Sequence, residues 1–157
     1  MNRTKKGFTL IELLIVVAII GIIVAIAIPN LLNAIQRAKQ KRTMADMRSI
    51  GTATEAYAVD FNSYPPSSGC AVAGNAMQGK VDRYLTPTYI KTLPYKDGWD
   101  HDFLFNTSTN GQEYTIGSYG KDGATGPNST CGATTDFNAD IVFSNGQFTQ
   151  WPEGVQN

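Results

Sequence analysis

The stretch from Phe8 to Ile28 decides what this chain can become. It reads FTLIELLIVVAIIGIIVAIAI, and from Leu13 onward it carries no polar side chain. As a helix it would extend about 31 Å, close to one hydrocarbon thickness. A helix that is apolar on every side cannot be covered by one small domain, so it must lie in lipid or against other chains. The residues before it, MNRTKKG, are polar and basic, which places the N-terminus in the cytoplasm and exports the chain beyond the apolar run.

Charge placement adds to this. The 157 residues hold 13 Lys+Arg and 13 Asp+Glu, a formal net charge of zero, which by itself argues against a nucleic-acid binder. The zero is a sum of opposed blocks. Residues 1–7 carry +3, residues 37–48 carry +4, and the chain from Ser49 onward carries −6. One His and two Cys exclude a Cys₂His₂ or Cys₄ zinc set. The chain has no phosphate-binding G-x-x-x-x-G-K-[ST] loop, G-x-S-x-G elbow or H-E-x-x-H pair, so no catalytic residue is expected.

Two fates compete for the apolar run. Ala25-Ile26-Ala27 satisfies the small-residue pattern of a secretory cleavage site, and a cut there would release a soluble calcium-binding or enzymatic domain beginning at Ile28. Against it, the run passes through Pro29 directly into a long helical pattern. Glu12 also has no place in a disposable signal. A carboxylate at a membrane helix centre costs roughly 2.5–3.5 kcal/mol on insertion scales, less near the end, and such a group calls for a partner.

Lys5-Lys6-Gly7 followed by Phe8-Thr9-Leu10-Ile11-Glu12 resembles the processing motif of the type IV pilin and pseudopilin superfamily. The resemblance implies that a membrane prepilin peptidase cuts between Gly7 and Phe8, that the new Phe8 amine is N-methylated, and that Glu12 pairs with the Phe8 amine of a neighbouring subunit as a filament grows. The physics is consistent, because a buried carboxylate and a buried ammonium are each costly alone and tolerable together.

Past Pro29, Met47, Ile50, Thr54, Tyr57 and Phe61 recur at three- and four-residue steps, a stripe able to pack on a sheet. Gly21 and Pro29 predict a kink or, in a filament, a melted stretch. The basic block at 37–48 is a solvated face or a contact for the acidic surface of adjacent subunits. No aromatic platform interleaves with it, so no specific nucleic acid is expected.

Residues 62–80 read as loop, and Val81–Leu93 as a short helix or turn. Phe103–Asn106 with Glu113–Gly117, and Asp140–Phe143 with Gln147–Trp151, read as two hairpins turning at Asn110-Gly111 and Asn145-Gly146. The expected fold is α+β, a small antiparallel sheet on the second half of a long N-terminal helix. Its parts are a leader (1–7), a transmembrane or filament-core helix (8–29), an amphipathic helix half (30–61) and an exported head (62–157).

Between the hairpins the chain is dense in Gly, Thr, Asn and Asp, donors that suit Ca²⁺. Tyr114–Gly123 and Asn138–Ile141 resemble the major pseudopilin family of type II secretion. That resemblance implies a structural calcium ion held by Asp122, Asp140 and main-chain oxygens, with Asp136 as third carboxylate. The spacer around Cys131 is longer than usual, and Asp97-Gly98-Trp99-Asp100 replaces the family's Pro-Trp-Gly turn. Cys70 and Cys131 both fall in the exported part, where a bridge would persist. It would be worth roughly 4 kcal/mol if unstrained. His101, between Asp100 and Asp102, reads as an exposed turn histidine rather than a relay. Asn106-Thr107-Ser108 and Asn128-Ser129-Thr130 match the glycosylation sequon.

The functional expectation is a filament subunit of type II secretion, anchored in the inner membrane with its head in the periplasm. Its partners would be copies of itself, the peptidase, the assembly platform and minor pilin-like subunits. The alternative is a surface type IV pilin for adhesion, motility or DNA uptake.

Overall fold

A computed structural model of the chain describes residues 7–66, 75–76, 81–124 and 132–154. The basic leader residues ahead of Gly7, Cys70, Cys131 and the Asn128 sequon lie outside the described residues. The chain divides into two units, Met1–Ile35 and Gln36–Asn157.

In the first unit, residues 7–35 are exposed throughout. They form the first part of helix α1, Leu10–Phe61, long and apolar enough to cross a membrane. The helix assignment runs unbroken through Gly21 and Pro29 in the single chain. Pro29 donates no hydrogen bond to the preceding turn. One residue on, the Asn30 side-chain amide donates to the Ile26 carbonyl at 3.3 Å, adding a contact across that turn.

In the second unit the rest of α1 buries Gln40, Thr43, Met47, Ile50, Gly51, Ala53, Thr54 and Tyr57. Polar residues tolerate this stripe because their hydroxyls are satisfied within the helix. Thr43 donates to the Lys39 carbonyl and Thr54 to the Ile50 carbonyl, each at 2.9 Å. Phe61, expected to close the stripe, is exposed but stacks on Tyr57 with ring centroids 4.4 Å apart. The helix stops at Asn62, whose φ of 53° is the left-handed geometry of a C-terminal cap.

Six strands follow with a short helix α2, Asp82–Leu85, after the first: β1 (Asn75–Ala76), β2 (Leu104–Thr107), β3 (Tyr114–Ser118), β4 (Gly132–Thr134), β5 (Ile141–Ser144) and β6 (Gln147–Pro152). Their order is β1-β2-β3-β5-β6-β4. All pairings are antiparallel except β4 on β6. Both expected hairpins are present, and the second turns through Asn145 (φ 48°) and Gly146 (φ 83°), as a two-residue Asn-Gly loop requires. The parallel edge strand β4 was not expected. Gly-Ala-Thr has little strand propensity, and the pairing with β6 makes it one.

Alternation puts Phe105, Tyr114, Ile116, Ile141 and Phe143 in the core with Met47, Ile50, Ala53 and Tyr57 of α1. Gly51 lets helix and sheet approach. A Cβ there would stand 2.4 Å from the Phe143 ring, which explains a residue that otherwise costs a helix interior about 1 kcal/mol.

Candidate functional site

The start of α1 is the first region of interest. Phe8 is 84 % exposed. Thr9 and Glu12 form a reciprocal cap, a pattern legible in T-x-x-E but not drawn from the sequence. The Thr9 backbone N–H and hydroxyl donate to Glu12 Oε2 at 2.8 and 2.7 Å, and the Glu12 N–H donates to Thr9 Oγ1 at 3.3 Å. The carboxylate is therefore held at the helix N-terminus, where its charge is favoured, and it is exposed.

The second region is the turn after Leu93. The sequence marked it only as a departure from a family pattern; it proves to be the clasp between sheet and helix. Asp97 is 3 % exposed. Its Oδ1 accepts the backbone N–H groups of Trp99 (2.8 Å) and His101 (2.9 Å), and its Oδ2 accepts the Ser118 hydroxyl of β3 (2.7 Å). The turn so fixed lies on α1. The Gly98 N–H donates to Thr43 Oγ1 at 2.9 Å and the Trp99 indole to Gln36 Oε1 at 2.7 Å. A Cβ on Gly98 would stand 2.4 Å from the Lys39 carbonyl oxygen, so only glycine permits this contact. The signal that could have found the clasp is Asp-Gly-Trp itself: an Asx turn, a residue without Cβ and an indole donor.

His101 differs from its expected exposed role. Its side chain is 35 % exposed, its Nδ1 lies 3.0 Å from the Gly120 carbonyl, and its ring fills the space beside Gly123. It joins the clasp to the loop after β3. Lys96 bridges Asp102 (3.4 Å) and Asp100 (3.9 Å) on the outer side.

The calcium candidates sit in that loop and after it. Asp122 Oδ1 accepts the Ala124 N–H and Asp136 Oδ1 the Asn138 N–H, both within their own turns. Asp140 is buried. Among the described residues no three His, Cys, Asp or Glu side chains come together in a group able to hold a metal ion. Asp122, Asp136 and Asp140 are thus not gathered into such a group, and Asp122 and Asp136 each accept an amide within their own turn. Main-chain oxygens are closer together: those of Phe137, Asn138 and Ala139 all lie within 3.1 Å of where a Gly120 Cβ would be. Asn106 of the first sequon lies on β2 with its Oδ1 buried, and the Thr107 hydroxyl donates to the Pro65 carbonyl at 2.7 Å, so this tripeptide is built into the sheet.

Residues 2–28 match the prokaryotic N-terminal methylation motif. Residues 30–142, which run through the clasp to the start of β5, match the family described as type II secretion system (T2SS), protein G. The chain belongs to the type II secretion system protein G family. Its similarity to individual members is spread over the chain. It is 31 % identical over 126 residues to the type II secretion system core protein G of Pectobacterium carotovorum subsp. carotovorum, covering 78 % of this chain and 80 % of that one. It is 30 % identical over 135 residues to the Vibrio cholerae core protein G, covering 83 % and 92 %. The type IV wide pilus major component of Thermus thermophilus is 45 % identical over 71 residues, covering 45 % of this chain and 54 % of that one. Protein G membership thus spans helix and head, whereas the pilus likeness covers less than half of the chain.

Proposed function

We propose that this chain is the major structural subunit of a type II secretion pseudopilus: a membrane precursor cut after Gly7, methylated on Phe8 and stacked into a helical filament. Its role is to assemble, with no catalytic step of its own. The observation that carries the reading is the combination of the methylation motif over residues 2–28 with the protein G family over 30–142.

The residues divide the work. The apolar part of α1 holds the precursor in the inner membrane, N-terminus inward by its basic leader, with the head in the periplasm. In the filament the same surface packs on other subunits. Glu12 pairs with the neighbour's Phe8 amine, so correct axial register removes two electrostatic penalties together. The partners are further copies, the prepilin peptidase, the assembly platform and minor pilin-like subunits. Mass spectrometry of the mature N-terminus tests the processing. Methylated Phe8 is the expected first residue, and Ile28 would replace the reading with a secreted soluble domain.

The reading includes a structural Ca²⁺ in the 118–140 region, supported by donor chemistry alone. The oxygens of Asp122, Asp136 and Asp140 and the carbonyls around Gly120 are hard ligands of the kind Ca²⁺ takes. Main-chain oxygens would make up much of the shell, since the carboxylates form no triad. Asp122→Ala should lower the melting temperature in Ca²⁺ and leave it unchanged in chelator; equal shifts in both would count against the ion. A bridge between Cys70 and Cys131 belongs to the same reading, with intact-mass analysis before and after reduction as its check.

A surface type IV pilus is the second reading, favoured by the likeness to the Thermus thermophilus pilus component.

A further inference from the structure

On the helix face beside the sheet, Arg37, Lys41, Met44 and Arg48 follow at steps of four, three and four residues and so form one stripe. The stripe is one wall of an open groove whose other wall is β6 and the residues after it, with Phe148, Trp151 and Pro152. Arg48 lies over the Phe148 ring, 5.3 Å from its centroid. Arg37, Lys41 and Arg48 make no ion pair among the described residues, whereas the neighbouring Arg42 is paired with Asp46 at 3.6 Å. Three cations without an ion pair outnumber Glu55, which also lines this groove, and such a surface suits carboxylates.

The same head carries the complementary surface. Asp100 and Asp102 are exposed and share the single Lys96. The clasp fixes the height of this acidic edge, because Gly98 and Trp99 are bonded to Thr43 and Gln36. Acidic edge and basic stripe therefore lie at the same level along α1 but on different faces. Two different patches that complement each other make a head-to-tail contact, which propagates into rings or filaments rather than closing as a two-fold dimer. The stripe from Arg37 to Arg48 extends about 16 Å, so a neighbour displaced axially by up to about that distance still meets a cation.

We infer that the Arg37–Lys41–Arg48 groove receives the Asp100 and Asp102 edge of a second copy of this chain. The inference rests on the filament reading above and specifies the side contact between heads. It gives the basic block at 37–48 an occupant other than an anionic membrane surface.

The test is charge reversal in the full chain, produced with its own assembly machinery, with the sedimentable filament fraction as readout. Arg37→Glu/Lys41→Glu should lower filament yield about tenfold, as like charges replace attraction. Adding Asp100→Lys/Asp102→Lys to the same chain should restore yield to within about twofold of wild type. Melting in detergent checks that each variant is folded, and Arg37→Gln/Lys41→Gln, expected to lose a smaller share, serves if the reversal unfolds. Unchanged yield in the folded variants overturns the inference, as does a loss that the added lysines do not restore. A further contrary result is wild-type yield combined with lost binding to vesicles containing anionic lipid, which would assign the stripe to the membrane. If the wild type itself forms no filament, the filament reading fails, and this contact falls with it.

Discussion

Asp97 and Gly98 carry more of this head than their place in a turn suggests. Asp97→Ala would strand the Trp99 and His101 N–H groups and the Ser118 hydroxyl in a buried site. Each unsatisfied group costs about 1–3 kcal/mol, so a loss of several kcal/mol of head stability is expected in urea melts, with Asp97→Asn recovering part. Gly98→Ala acts by a different route, forcing a Cβ against the Lys39 carbonyl; overpacking of this kind costs about 1–3 kcal/mol. Glu12 is the residue whose effect lies outside stability. Glu12→Ala should leave cleavage at Gly7 intact and stop assembly, which an immunoblot for the mature form beside a filament assay will read. Wild-type filament yield would remove Glu12 from the mechanism.

At the scale of elements, the helix-to-sheet contact is closed by tyrosines that face α1. Tyr114 has its hydroxyl among buried groups, and burial and then the Glu55 carboxylate push its ionisation well above the usual tyrosine range. Tyr64, donating to Glu55 Oε2 at 3.1 Å, is raised for the same two reasons. Tyr89 is pushed up to about 12, first by its hydrogen bond to Asp60. Groups raised in the folded state contribute fully below the unfolded value of about 10 and lose that contribution as pH rises through the folded value. The melting temperature should therefore fall above about pH 10, and less steeply in Tyr114→Phe; parallel slopes would contradict the assignment.

The same elements show what the sequence could and could not tell. Both hairpins and the Met47–Tyr57 stripe were legible because period and Asn-Gly turns are local signals. Strand β4 was not, since its strand character comes only from a partner almost twenty residues on. The clasp was half legible: Asp-Gly-Trp announces a turn, but nothing local says that the turn lands on Gln36 and Thr43. The Asp122, Asp136 and Asp140 grouping came from the oxygen-rich character of the loop together with the resemblance. Spacing alone cannot say that Asp122 and Asp136 turn to their own loop amides.

For the whole molecule, the zero net charge conceals an ordered polarity. The proposed cut after Gly7 would take away three positive charges. What lies beyond residue 7 is a carboxylate capped at the start of an apolar helix, a basic stripe farther along it and a head of net negative charge. A chain arranged in this way has an exposed apolar surface and complementary charged faces, both suited to copies of itself. The central claim, a subunit that serves secretion rather than surface piliation, is tested most directly by deleting the chain in its native cell and measuring exported proteins in the medium alongside surface pili. The account predicts that exported proteins accumulate in the periplasm while piliation is unchanged. Loss of pili with secretion intact would contradict it.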